Sequence, residues 1–303
     1  MQIPHMLRKK ITGGFGPRGE KWLDKLPLLV EDCIRRWNLT DCVESSVISY
    51  NYVCFANSPE YGAVALKVGI PHLDLTAEMT AIKLYDGKNI CQCYEQDPDL
   101  GAMLLERIQP GYDLTSVKSS SQRIKLAADV VAALPMEVSS AHDLPSWSDL
   151  AARTFGRLKE QSQAQKMLGL AAQAEELLRE LEDSGRKRVL LHGDLNHYNI
   201  LKSAEGWMAI DPKGQIGVTC MEAGRFMLNE LEIAAPRDPV GLMNEMTAAF
   251  SEKLKEPRSI IALVAFLDKA LSTSWKFEGF GPRDLTEDVE ECGLLLRYYR
   301  SIT

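Results

Sequence analysis

Three residues of this 303-residue chain have types and spacing that could do chemistry: Asp194, Asn199 and Asp211. Asp194 stands in His192-Gly193-Asp194-Leu195-Asn196-His197-Tyr198-Asn199, so an amide follows a carboxylate by five positions. Asp211 comes twelve positions after Asn199, in Ile210-Asp211-Pro212-Lys213-Gly214. Phosphoryl transfer needs these groups. One carboxylate must accept the proton of an attacking hydroxyl, and a carboxylate and an amide oxygen must hold Mg²⁺ against nucleotide phosphates. Hard oxygen donors suit Mg²⁺, and phosphates and water complete its shell, so few protein ligands are required. An isolated HGD or DP is ordinary turn chemistry. The two together, each at the end of an apolar run, point to a phosphotransferase loop.

An upstream partner fits the same chemistry. Val64-Ala65-Leu66-Lys67 reads as a strand whose lysine would contact phosphates, and Glu78, on the helix expected next, could pair with that ammonium. A glycine-rich GxGxxG hairpin is missing. Ser45, Ser46, Ser49, Tyr50 and Asn51 occupy that region instead.

The elements that must position these residues follow from periodicity. Trp22–Trp37 places Leu23, Leu26, Val30 and Ile34 on one helical face. Ser46–Ala56 and Ala63–Val68 read as strands around the turn-forming Asn57–Gly62, giving an antiparallel hairpin. A helix over Leu75–Tyr85 and short strands at Ile90–Tyr94 and Ala102–Ile108 complete a small α+β part. Beyond Pro110-Gly111 the pattern becomes helical, with helices over Gln122–Leu134 and Gln163–Leu181. Short strands at Arg188–Leu191 and Gly206–Ile210 then lead into the two acidic loops. Ile260–Leu271 is apolar nearly all round, which predicts a buried helix. The expected organisation is an N-terminal arm over 1–20, a β-rich lobe over 21–108 and a larger helical lobe over 109–303.

Bulk properties narrow the partners. The formal net charge of −7 argues against nucleic acid, which selects clustered Lys and Arg, and is compatible with a cationic small molecule. Seven cysteines at irregular spacing, with no CxxC, predict reduced thiols, mostly buried, in a cytoplasmic protein. No apolar signal segment follows Lys9 and Lys10, and no stretch approaches the roughly 20 apolar residues of a membrane span.

HGDLNHYNIL at 192–201 and IDPKG at 210–214 resemble the aminoglycoside phosphotransferase superfamily, nearest the branch of streptomycin 6-kinases and hydroxyurea-type resistance kinases. WLDKLPLLVEDCIRRW, VALKV at Lys67, MLLERIQPG at 103–111 and the stretch from Glu222 to Asn229 support it. The resemblance implies a protein-kinase-like, two-lobed α+β fold binding ATP between its lobes. Asp194 would be the general base, Asn199 and Asp211 the Mg²⁺ ligands, and Lys67, steadied by Glu78, the contact to the α and β phosphates. Leu105–Ile108, including Glu106 and Ile108, would be the hinge that offers backbone groups to adenine, and His192 would support the loop. The acceptor would be a hydroxyl of a small polar molecule, an aminoglycoside by preference. A metabolite such as an amino sugar or amino alcohol, and a nucleotide-binding module without turnover, are the alternatives. The chain departs from the family at Gly217-Val218-Thr219, where Gly-Asp-Pro is usual, and at Asn196, where His is common. Both departures are expected near the acceptor, as are Glu222, Glu278 and Asp284. The absence of HRD and of a DFG…APE segment argues against a protein kinase.

Overall fold

The computed structural model describes residues 3–46, 50–138, 143–160, 164–278 and 284–303. The chain divides into two compact units, Met1–Gly111 and Tyr112–Thr303.

The first unit opens with helix α1 (His5–Arg36), two helical pieces joined at Gly16, whose φ of 51° only glycine adopts freely. The expected N-terminal arm is therefore helical from His5. Leu7 and Ile11, four residues apart, are buried in the same core as Leu23, Leu26 and Val30. Gly19 allows this packing, because a Cβ there would lie 2.6 Å from the Ile11 carbonyl oxygen. Polar composition hid the helix, since only two apolar residues carry its first turns inward.

A five-stranded antiparallel sheet follows, in the order β1-β2-β3-β5-β4. Strand β1 (Thr40–Glu44) has no apolar alternation to betray it, being exposed throughout. It pairs with β2 (Tyr52–Ser58), which starts six residues later than the expected Ser46. The segment from Ser45 to Asn51 is thus the connection between β1 and β2. Ser49 in it lies outside the described residues. Strand β3 (Gly62–Val68) pairs with β2 through the Ser58–Gly62 turn and, on its other side, with β5 (Ala102–Glu106). Helix α2 (Leu73–Tyr85) follows β3, and β4 (Cys93–Asp97) lies at the far edge, three residues beyond its expected start. Ile90 and Cys91, which suggested that strand, are buried ahead of it.

Strand β6 (Pro110–Asp113) crosses the boundary into the second unit. There α3 (Ser120–Ala133), α4 (Trp147–Leu158) and α5 (Gln165–Glu182) precede the strands β7 (Arg188–Leu191), β8 (Ile200–Ser203), β9 (Trp207–Ala209) and β10 (Gln215–Val218). Helix α4 begins at a capping box in which Ser146 and Asp149 satisfy each other's backbone N–H. Four helices follow: α6 (Glu222–Ala234), α7 (Pro239–Leu254), α8 (Arg258–Glu278) and α9 (Thr286–Ser301). Helix α8 is the centre of this unit. Residues from Ile261 to Leu271 are almost all buried, and α4, α5, α6, α7 and α9 pack around them. A helix apolar on every face needs such complete cover.

Candidate active site

In the first unit, Val64, Leu66 and Val68 point into the core shared with α1. Side chains of a strand alternate between faces, so Lys67 lies on the opposite face. Glu78 of α2 reaches it there, and the two form a buried ion pair, 4% and 6% exposed. Two buried opposite charges compensate one another when paired. Glu106, at the end of β5, turns its carboxylate to the Gln92 N–H (3.0 Å) and donates its own N–H to the Gln92 carbonyl (2.8 Å). The Arg107 N–H is taken by the Ala63 carbonyl, whereas the Ile108 N–H donates to no other group among the described residues.

In the second unit, β7 pairs with β10 and ends at the His192-Gly193-Asp194 loop. His192 is fully buried. Its Nε2 donates to the Ile210 carbonyl (2.7 Å), and its Nδ1 accepts the Asp194 N–H (3.2 Å). Burial pushes the imidazole pKa down, which keeps the ring neutral and this tautomer in place. The His192 carbonyl accepts the N–H groups of Lys213 (2.7 Å) and Gly214 (3.3 Å), tying the second acidic loop to the first. Asn199 donates its side-chain N–H to the Asp194 carbonyl (2.9 Å), so its amide oxygen is the free end. Its backbone carbonyl accepts the Ile210 N–H (3.0 Å), and Ile200 faces Ala209 in the β8–β9 hairpin. This hairpin brings Asn199 and Asp211 to one end of the same two strands. Asp211 sits at φ 65°, a left-handed conformation uncommon outside glycine and tolerated best by Asn and Asp.

Helix α6 braces the loop from one face. Glu222, Arg225, Asn229 and Glu230 recur at helical spacing and all meet residues 192–197. The Glu222 carboxylate accepts the N–H groups of His192 (2.6 Å) and Gly193 (3.0 Å), and it is 3% exposed. It was expected beside the acceptor; instead it is spent on the loop backbone, where no acceptor can use it. Burial raises its pKa to about 7 against the opposing pull of the two N–H donors. Asn229 accepts the His197 N–H (3.4 Å). Glu230 binds the His197 ring (2.6 Å), the Arg123 guanidinium and Ser120. Burial alone would raise its pKa, but hydrogen bonds from His197, Arg123 and Ser120 outweigh that and bring it down to about 2.

Arg225 was missed in the sequence reading. Its Nε is 3.5 Å from Asp194 Oδ1 and its Nη2 is 2.8 Å from Oδ1 of Asp268, a buried residue of α8. The only signal for it was the i, i+3, i+7, i+8 recurrence of polar residues in α6, which is visible once that helix is known to face the loop. The two family departures also resolve. Asn196 caps the turn at 197–199 and donates to Asp194, at 3.3 Å to the carbonyl and 3.4 Å to Oδ1. Gly217 and Val218 belong to β10 and are packed inside, a Cβ on Gly217 meeting Leu191 and Met221 at 2.8 Å. Both are buried. Asp284 is exposed and receives the Thr286 N–H ahead of α9. The Glu278 side chain and residues 279–283 lie outside the described residues. A groove of about 800 Å³ in this unit runs between α6, α8 and α9, with Arg225, Glu232, Lys269, Lys276 and Glu287 among its lining.

A five-stranded antiparallel sheet holding a Lys–Glu pair, followed by a helical part holding the HGD and DPKG loops, defines a protein-kinase-like fold. Solved structures share it: a choline/ethanolamine kinase family protein from Mesorhizobium loti (TM-score 0.67, 13% identity, 90% of this chain and 99% of that one) and an amicoumacin kinase (TM-score 0.66, 15% identity, 91% and 92%). The family model for the aminoglycoside/hydroxyurea antibiotic resistance kinases matches residues 36–279, and the chain belongs to that family. It is a small-molecule phosphotransferase and uses ATP. It is 25% identical to the streptomycin 6-kinase of Streptomyces glaucescens over 286 residues, 91% of this chain and 88% of that protein. It is 28% identical to the hydroxyurea phosphotransferase of Kitasatospora aureofaciens over 231 residues, 72% and 65% respectively. Among the described residues no helix is long and apolar enough to cross a membrane.

Proposed function

We propose that this protein transfers the γ-phosphoryl group of ATP to a hydroxyl of an aminoglycoside of the streptomycin type, with Asp194 as general base. The acceptor O–H gives its proton to the Asp194 carboxylate while its oxygen bonds to the γ-phosphorus. The bond from that phosphorus to the β–γ bridging oxygen breaks, and ADP leaves. Lys67, fixed by Glu78, contacts the α and β phosphates, and the Ile108 N–H is the donor available to adenine. Asn199 and Asp211 would hold Mg²⁺, which neutralises the phosphates when bound. The free amide oxygen of Asn199 and the Asp211 carboxylate are hard donors of the kind that ion takes. The observation that carries the reading is the linkage of Asp194, Asn199 and the Asp211 loop by hydrogen bonds through the His192 ring and carbonyl, the Asn199 side chain and the Ile210 backbone. The groove is lined by acids and bases alike, Glu232 and Glu287 with Arg225, Lys269 and Lys276, which suits a polar acceptor, and its volume falls in the range of small-molecule sites.

The test is ADP release from Mg·ATP with streptomycin, other aminoglycosides, hydroxyurea and amino sugars. The wild type and Asp194→Asn are assayed in parallel. Turnover with streptomycin, lost in the variant, is expected. Turnover with hydroxyurea alone would replace the acceptor and keep the chemistry. Wild-type rates in Asp194→Asn would overturn the assignment of the base.

A further inference from the structure

Asp194 presents its two carboxylate oxygens differently. Oδ1 is approached from two sides, by Asn196 Nδ2 at 3.4 Å and by Arg225 Nε at 3.5 Å. Oδ2 accepts no hydrogen bond among the described residues. Arg225 is itself held from behind. Its Nη2 is 2.8 Å from Asp268 Oδ1, and Asp268 is 3% exposed on the otherwise apolar central helix α8. An acid at that depth is costly unless paired, and Arg225 is the opposite charge beside it. Gly224 makes the meeting of the two helices possible. A Cβ at that position would stand 2.9 Å from the Val264 carbonyl oxygen and 3.0 Å from the Asp268 Cβ, so α6 could not come this close to α8 with any larger residue. Two of the polar atoms in this chain of charges, Arg225 Nε and Asp268 Oδ1, are buried and make no hydrogen bond. Asp268 Oδ1 has the Arg225 Nη2 charge at 2.8 Å and Arg225 Nε has the Asp194 carboxylate at 3.5 Å, so the three groups are held by charge and not by aligned hydrogen bonds.

Resting on the kinase reading above, we propose that Arg225 is a positioning residue for the general base. Clamped by Asp268, its guanidinium engages Asp194 Oδ1 and turns Oδ2 toward the acceptor hydroxyl. The planar guanidinium suits this role because its Nε and Nη2 face two carboxylates at once in a fixed geometry, which an ammonium cannot reproduce. Arg225 also lines the groove at α6, α8 and α9, so an acceptor entering there meets the residue that aims the base. Neither Arg225 nor Asp268 exchanges a proton in the reaction. Both act through the orientation of Asp194.

The experiment follows ADP release from Mg·ATP in Arg225→Ala, Arg225→Lys, Asp268→Asn and Asp194→Asn. Water stands in as the slow acceptor, so that every variant has a rate whichever compound the protein prefers. Arg225→Ala should lower kcat by roughly 10–100-fold, the scale of a misplaced catalytic group, with KM for ATP little changed. Guanidinium ion at non-denaturing concentration should restore part of that loss in Arg225→Ala and none in Asp194→Asn. Arg225→Lys should recover only part of the rate. Asp268→Asn should cost less than Arg225→Ala, and the double variant no more than Arg225→Ala alone, because the two act as one unit. A crystal structure of Arg225→Ala reads the same question without a rate: the Asp194 carboxylate should rotate while the backbone of 192–199 stays in place. An Arg225→Ala rate equal to wild type, a loss that guanidinium leaves untouched, or an unrotated Asp194 would each overturn the proposal. If Asp194→Asn is inactive while Arg225→Ala is not impaired, this inference falls and the kinase reading stands. If Asp194→Asn keeps its rate, the assignment of the base falls with it.

Discussion

Lys67–Glu78 in the first unit and Arg225–Asp194 in the second are both cation–carboxylate pairs, and they are built in opposite ways. Lys67 and Glu78 are sealed, 4% and 6% exposed, on a central strand and the helix after it. The side chains of Arg225 and Asp194 are 25% and 30% exposed, and their closest approach is a loose 3.5 Å. Burial strengthens a pair's attraction and makes its rupture costly, so a sealed pair holds a charge at one point. A half-exposed pair at longer range can change partners cheaply. The first arrangement fixes a lysine in one place. The second leaves Asp194 with one oxygen against Arg225 and the other without a hydrogen bond among the described residues.

The largest effect expected from breaking this comparison is on catalysis at the open pair. Asp194→Asn should lower kcat by roughly 10²–10⁴, the span of general-base catalysis, with Mg·ATP affinity retained. Isothermal titration with Mg·ATP beside the rate assay checks both halves. At the sealed pair the loss should appear first as stability. Glu78→Ala removes the carboxylate paired with the buried Lys67 ammonium and should cost about 3–5 kcal/mol in denaturant unfolding. A cost near zero there would mean that the pair is not sealed.

Glu230 extends the comparison into the brace behind the loop. Glu230→Gln removes the charge opposite the buried Arg123 guanidinium, which keeps only the Val117 and Lys118 carbonyls at its Nη1 and a neutral amide beyond, and should cost roughly 2–4 kcal/mol, with the loop residues 192–199 losing amide exchange protection first.

The smallest effect is pH-dependent and has opposite signs at two acids of one helix. Glu222 has its pKa raised to about 7 in the folded state, so between its ordinary value near 4.5 and 7 the folded protein holds a proton that the unfolded chain has released. Stability contributed by Glu222 therefore falls as pH rises through that window. Glu230 has its pKa lowered to about 2, so its contribution is complete above 4.5 and is lost as pH falls toward 2. Unfolding measured across pH should show Glu222→Gln flattening the neutral-side fall and Glu230→Gln the acid-side one. Identical profiles in both variants would show that neither acid is held as described.

Much of the site was legible in the chain because it is local. Asp194 and Asn199 belong to one loop, Asp211 to the next, and Lys67 stands on an alternating strand whose apolar partners Val64, Leu66 and Val68 announce it. The helices of the second unit were read where a clean apolar stripe existed, as in Gln165–Glu182 and at Ile261–Leu271. Strand β1 was missed because all five of its residues are exposed and its sequence alternates in nothing. The helical start of α1 was missed because two buried residues among polar ones make no stripe. Glu222 was misplaced because a carboxylate near a loop in sequence looks the same whether it faces solvent or grips backbone N–H groups.

By itself the sequence determined the reaction class: residue type and short-range spacing decide which oxygens a loop can present to a phosphate, and both are properties of a few consecutive peptides. Only the tertiary structure decided how Asp194 is held. Arg225 and Asp268 lie on different helices, and what joins them is the missing side chain of Gly224, which lets α6 settle against α8. A close approach between distant segments has no period along the chain, so no local pattern records it, and the pairing of a buried acid with a half-exposed arginine exists only once the helices have packed.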